Sequence, residues 1–224
     1  MNRLILVGAV GLAIAAGAIF MQTRSAPSNI AELPAGAANA QEASDIDTSS
    51  VVEMTMGPED AKVTVIEYAS FTCPHCARFH TDQFKQLKAD YIDTNQVHFI
   101  YRDVFFDRFG LWASMVARCG GEERFFGLTD MIYAQQSDWI GSGQDPVQIA
   151  NNLRNIGKVA GLDDAQLEAC LNDSEKAEAL VAWFQVNAEA DDVSATPTVI
   201  INGQRPKNNS YSELKALIDE KLAE

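Results

Sequence analysis

Basic residues are scarce in this chain: 17 lysines and arginines stand against 31 aspartates and glutamates, a formal net charge of −14. Nothing in it could neutralise a phosphate backbone over a connected patch, which excludes nucleic acid as a partner. Histidine is scarcer still, three in 224 residues, so a metal site would have to draw on one cluster, Cys73, His75, Cys76 and His80. No internal repeat is present. Long apolar runs are missing with one exception, Leu4 to Met21, eighteen uncharged residues between Arg3 and Arg24. That length lies between a secretory signal core and a bilayer span, so residues 1–24 read either as a cleaved signal peptide or as an uncleaved signal anchor. Cleavage sites are poor: Pro27 would block the bond near Arg24, and Ala38-Asn39-Ala40 lies far downstream. In both cases the remainder is exported, with Arg3 kept inside, and its cysteines work where disulfides persist.

Residues 25–50 are rich in Ala, Ser, Pro, Asn and Asp without an apolar period, the composition of a flexible linker. From Val51 the pattern changes. VVEMTM predicts a short edge strand, GPED a turn, and Val63 to Phe71 a buried strand rich in β-branched residues. Pro74 opens a helical pattern carrying Phe79, Phe84, Leu87 and Tyr91 toward one side, and Val97 to Tyr101 returns to strand. Strand, helix, strand implies parallel pairing through a right-handed crossover. From Phe106 to Ala190 the chain is helical in character, with a stop at Gly120-Gly121. A strand resumes at Thr198 to Asn202, Asn202-Gly203 suggests a hairpin turn, and a last helix follows Ser210 with Glu213 placed for a capping box.

The chemistry concentrates in Cys73-Pro74-His75-Cys76, where a buried strand gives way to a helix. Pro74 suits the first helical turn, since its missing N–H would be unsatisfied there anyway. Cys73 then lies at the N-cap, where free N–H groups and the helix dipole favour a thiolate below the ordinary ~8.5. Cys76, one turn deeper on the same face, is placed to resolve. His75 can aim a further donor at the Cys73 sulfur. Stabilising that thiolate by ~4 kcal/mol would make the couple more oxidising by roughly 90 mV. A lone C-x-x-C also serves zinc sites and inert bridges; here Thr196-Pro197-Thr198 stands just before the apolar strand VIIN, where proline fits only a strand-entry turn.

With CPHC, ATPTVIING and a helical stretch between them, the chain from Val51 onward resembles the DsbA family of bacterial disulfide oxidoreductases. The resemblance implies an α/β thioredoxin fold interrupted by an all-helical domain: residues 51–105 as the first part of the fold, 106–190 as the insertion and 191–224 as the second part. It implies a cis Thr196-Pro197 bond against the active pair, with the Thr196 backbone receiving substrate. It gives Glu67 the position of an acid that handles the proton of the buried cysteine, and it departs at His80, where some family members carry another acid. The redox-active disulfide would be the sole prosthetic chemistry, with no cofactor or metal.

Four cysteines allow three pairings. Some members of the family carry a second bridge in the insertion, so Cys73–Cys76 and Cys119–Cys170 are the pairs expected; two separate buried thiols at Cys119 and Cys170 are the alternative. The implied activity is donation of disulfides to unfolded exported proteins in the bacterial periplasm, with reoxidation by a quinone-linked membrane protein, the chain acting as a monomer. Reductase or isomerase activity on the same fold, a Cys/His metal site, and a peptide-binding module with an inert bridge are the competing readings. The absence of a sizeable N-terminal dimerisation domain disfavours the dimeric isomerases.

Overall fold

The computed structural model describes residues 46–143 and 145–224. Segment 1–24 and residues 25–45 of the expected linker lie outside the described residues. Among the described residues no helix is long and apolar enough to cross a membrane.

Four strands form one sheet in the order β1-β3-β2-β4: β1 (Met54–Met56), β2 (Val63–Ala69), β3 (Val97–Asp103) and β4 (Thr198–Ile201). β2 and β3 are parallel, while β1 and β4 run antiparallel at the edges. The crossover from β2 to β3 is a continuous helix. It begins as α1 (Pro74–Phe79), widens into π-helix over His80–Phe84, passes through α2 (Lys85–Leu87) and ends as π-helix over Lys88–Ile92. Among the described residues, six helices stand between β3 and β4: α3 (Arg108–Cys119), α4 (Glu122–Ala134), α5 (Gln136–Ile140), α6 (Pro146–Val159), α7 (Asp164–Leu171) and α8 (Ser174–Ala190). Helix α9 (Tyr211–Ala223) closes the chain. An α/β sheet with a helical insertion is the class expected, and it is the class observed.

Alternation along β2 decides what the core receives. Val63, Val65 and Ala69 belong to the main hydrophobic cluster, whereas Tyr68, with Ile66 against it, belongs to a smaller one on the other face with Val104 and Ile200. Glu67 shares the parity of Val65 and Ala69, so the pleat turns its carboxylate into the main core, fully buried.

Several local expectations are corrected. The first strand starts only at Met54, because Val51 N–H is spent on a turn to the Thr48 carbonyl. β2 stops at Ala69 because Cys73 N–H turns back to the Ser70 carbonyl, 3.0 Å away. Asn202 and Gly203 do form a tight turn with positive φ, yet beyond it only Gln204 pairs back with Ile201, and Pro206 lacks a donor. Ser210 makes no side-chain cap to α9; its hydroxyl meets that of Ser212 instead. The capping box is at Asp163 and Gln166, opening α7.

Candidate functional site

Cys73 is the N-cap of α1, in extended conformation, with Pro74 at the first helical position. Cys73 and Cys76 are free thiols, the reduced members of the expected couple. Cys76 is completely buried; Cys73 keeps 9% of its surface, more covered than a freely exposed nucleophile. Its cover is the loop before β4: Thr196-Pro197 is cis, and the Cys73 thiol donates to the Thr196 carbonyl at 3.6 Å. Beside this turn lies a groove of about 440 Å³ lined by His75, Arg78, Phe79, Asp82, Pro197 and Asn209. Another hollow, of about 370 Å³, borders Cys119 and Cys170, away from this chemistry.

The two sulfurs differ sharply in proton affinity. A hydrogen bond from the Cys76 thiol, a side-chain contact with Thr196 and the backbone N–H groups of Cys76 and His75 all favour the Cys73 thiolate. Together they outweigh partial burial, and the Cys73 thiol is pushed down to about 5. Cys76 moves the opposite way: burial, then its bond to Cys73, push its thiol well up, and the negative charge of Glu67 adds to this.

His75 contributes through its backbone. Its ring accepts at Nδ1 from Arg78 Nη2, 2.7 Å away at the surface, so the ring contact with the Cys73 sulfur expected from the sequence is replaced by one along the helix, i to i+3. The imagined metal cluster therefore separates: the His75 ring goes outward to Arg78, and His80 goes inward, its Nε2 3.1 Å from Glu67 Oε2. His98, on β3, is 8% exposed and has the opposite parity to the core-facing Val97, Phe99 and Tyr101, so it lies on the other face of the sheet. Cys119 and Cys170 are bonded, with Cα atoms 5.9 Å apart.

Two supports of the site escaped the sequence. Gln136, at the start of α5, donates through Nε2 to the carbonyls of Phe71 (2.8 Å) and Cys73 (3.0 Å). Thr72 donates to Asp107, which also caps α3 by accepting from Phe109 and Gly110 N–H. Both tie the reactive turn to the helical insertion. Asp107 before a helical run is a readable cap signal; nothing local marks Gln136.

A family model described as thioredoxin matches residues 49–220. A putative protein-disulfide oxidoreductase from Rickettsia bellii is 35% identical over 173 residues, which make up 77% of this chain and 65% of that protein. The chain thus spans just under two thirds of that relative's length. Among solved structures, oxidised BdbD from Bacillus subtilis matches with a TM-score of 0.68 at 25% identity, over 77% of this chain and 94% of that one. The alpha-DsbA1 of Wolbachia pipientis matches with a TM-score of 0.67 at 22% identity, over 83% and 96%.

Proposed function

Because the chain belongs to the thioredoxin family, on its DsbA-like branch, we propose that Cys73 and Cys76 form a redox couple that donates disulfides to proteins carrying free thiols. The observation that carries this reading is the asymmetry of the two sulfurs, one pushed down to about 5 at a helix start and the other buried and pushed up. In the oxidised protein a client thiolate attacks Cys73 Sγ. The Cys73–Cys76 bond breaks, its electron pair leaves on Cys76, and Cys76 takes a proton. A second client thiolate then attacks the client sulfur of the mixed disulfide, and Cys73 leaves as the stabilised thiolate. The client is oxidised by two electrons and the protein reduced by two.

Thr196, beside the sulfur and just before edge strand β4, would offer its backbone to an extended client segment as an added strand does. Glu67, buried in the core and felt by Cys76, would exchange the proton of that thiol. Export to the bacterial periplasm, retention at the inner membrane if segment 1–24 is uncut, and reoxidation by a quinone-linked membrane protein complete the proposal.

Equilibrating the Cys73/Cys76 couple against glutathione buffers tests the direction. A donor should lie well above thioredoxin's ~−270 mV, toward DsbA's ~−120 mV. A value at or below that of thioredoxin supports the reductase alternative instead.

A further inference from the structure

Thr196 meets both sulfurs. Its carbonyl accepts from the Cys73 thiol, and its side chain favours the thiolate form of Cys73 and of Cys76 alike. In the protonated pair the Thr196 hydroxyl is buried and bonded to neither, without a hydrogen-bond partner. No bond of its own holds it in place, so it acts on a sulfur only as well as its backbone aims it.

That aim is fixed from both sides, because each flanking carbonyl is gripped by a side chain. On one side the Thr198 hydroxyl donates to the Ala195 carbonyl at 2.7 Å, a bond closed within the turn itself. On the other the Asn209 Nδ2 amide donates to the Pro197 carbonyl, also at 2.7 Å, from beyond the end of β4. The proline ring already locks φ at Pro197. Its remaining backbone freedom is ψ, and a bond to the carbonyl takes that. Asn209 is aimed in turn by its neighbours: Asn208 Oδ1 accepts from Ser210 N–H at 2.9 Å, bending the chain just before α9. Asn209 is half-buried and lines the groove beside the reactive turn with Pro197, His75 and Phe79.

We infer that Asn209 is a positioning residue of disulfide exchange: through the Pro197 carbonyl, its amide seats Thr196 against the Cys73 and Cys76 sulfurs. This deepens the disulfide-exchange reading and rests on it. Asn209 moves no proton and no electron. It keeps a hydroxyl donor beside the sulfur that carries charge when the Cys73–Cys76 bond opens, which stabilises the reduced form relative to the oxidised. Without the bond the Thr196 hydroxyl is less well aimed, the thiolate is less stable, and the couple becomes less oxidising. A purely structural anchor would instead weaken the oxidised and reduced proteins together and leave both sulfurs as they were.

Asn209→Leu keeps the bulk and removes the donor. In the reduced full chain, ultraviolet thiolate absorbance followed against pH should show the proton affinity of Cys73 raised about tenfold, the scale of one hydrogen bond. Equilibration with glutathione should shift about tenfold toward the disulfide form, ~30 mV less oxidising. In a Thr196→Val background the same substitution should change little further, since it acts through that hydroxyl. Unchanged proton affinity and equilibrium in Asn209→Leu overturn the inference, even where the urea midpoint falls, and so do effects that simply add to those of Thr196→Val. In the wild type, slowed hydrogen exchange of the Asn209 side-chain amide should report the bond directly. Exchange as fast as that of an exposed asparagine overturns the inference even where Asn209→Leu fails to fold. A wild-type pair with no thiolate below alkaline pH and no exchange with glutathione would instead bring down the disulfide-exchange reading itself.

Discussion

Cys73 stands at the N-terminal cap of α1 with Cys76 in its first turn, whereas Cys119 is the last residue of α3 and Cys170 the last but one of α7. One pair sits where free N–H groups and the positive end of the helix dipole gather. The other sits where unpaired carbonyls and the negative end do. A thiolate is the leaving group and the nucleophile of every exchange, so the first location makes a bond easy to open and the second makes one hard to open. Sequence separation acts in the same sense. A bridge across 51 residues constrains the unfolded chain heavily, and one across a single helical turn barely does. The same side chain is thus a reagent at one end of a helix and a clamp at the other.

The largest expected effect separates the pairs outright. Cys73→Ser should reduce oxidation of an unfolded, thiol-bearing client to background, while Cys119→Ala with Cys170→Ala should leave it running. Client thiols counted over time with a colorimetric reagent give the comparison. Equal loss in both variants would mean that the clamp takes part in the chemistry and the contrast is wrong.

Next is stability. Removing the Cys119–Cys170 bridge should cost about 4 kcal/mol by loop closure, or roughly 10 °C in melting temperature for a domain of this size. Reducing Cys73–Cys76 alone should cost nothing of that kind. Calorimetry on the double alanine variant and on the selectively reduced protein sets them side by side; a variant that melts with the wild type would show that the insertion holds without its clamp.

The pH dependence of the reduced form sharpens the point, with its sign set by the two sulfurs. Cys73 is pushed down to about 5 from an ordinary 9.0, so its contribution to folding is complete above about pH 9, declines as pH falls, and is gone below about 5. Cys76 is raised from 9.0. Its contribution is complete below that pH and is lost as alkali rises past it. The stability of the reduced relative to the oxidised protein should therefore climb between about pH 5 and pH 9 and then fall, whereas the structural bridge, which does not titrate, adds no such curve. Denaturant midpoints of both forms across that range test it. A constant difference would remove the thiolate from the account.

How much of this was legible follows from how far apart the cooperating residues lie. CPHC and the threonine-proline before β4 carry their own local reasons, whereas Glu67 was singled out by the family resemblance alone and its place on the core face came from the structure. What lay between elements was not legible. Thirteen residues separate Glu67 from His80, and only the crossover geometry brings them together. The His75–Arg78 contact was readable from helical spacing, but the expectation went to the sulfur first. At Ser210 the cap pattern is present and its hydroxyl is engaged elsewhere, while Asp163 and Gln166 spell a box in less familiar letters.

Gln136 offers the smallest effect and the finest test of the contrast. Its amide holds the carbonyls of Phe71 and Cys73, and the Cys73 carbonyl also accepts from Ala77 N–H, 3.1 Å away. Gln136→Leu keeps the bulk and removes the donor. The Cys73 carbonyl keeps a partner and the Phe71 carbonyl loses the amide, so the cost should be about 1–2 kcal/mol, read as a shift in urea midpoint. Since the Gln136 amide bonds to Phe71 and Cys73 and not to Cys119 or Cys170, combining its replacement with their removal should give additive losses. An excess over the sum would mean that the clamp and the reactive turn are mechanically joined through α5, and the two pairs could no longer be treated as independent.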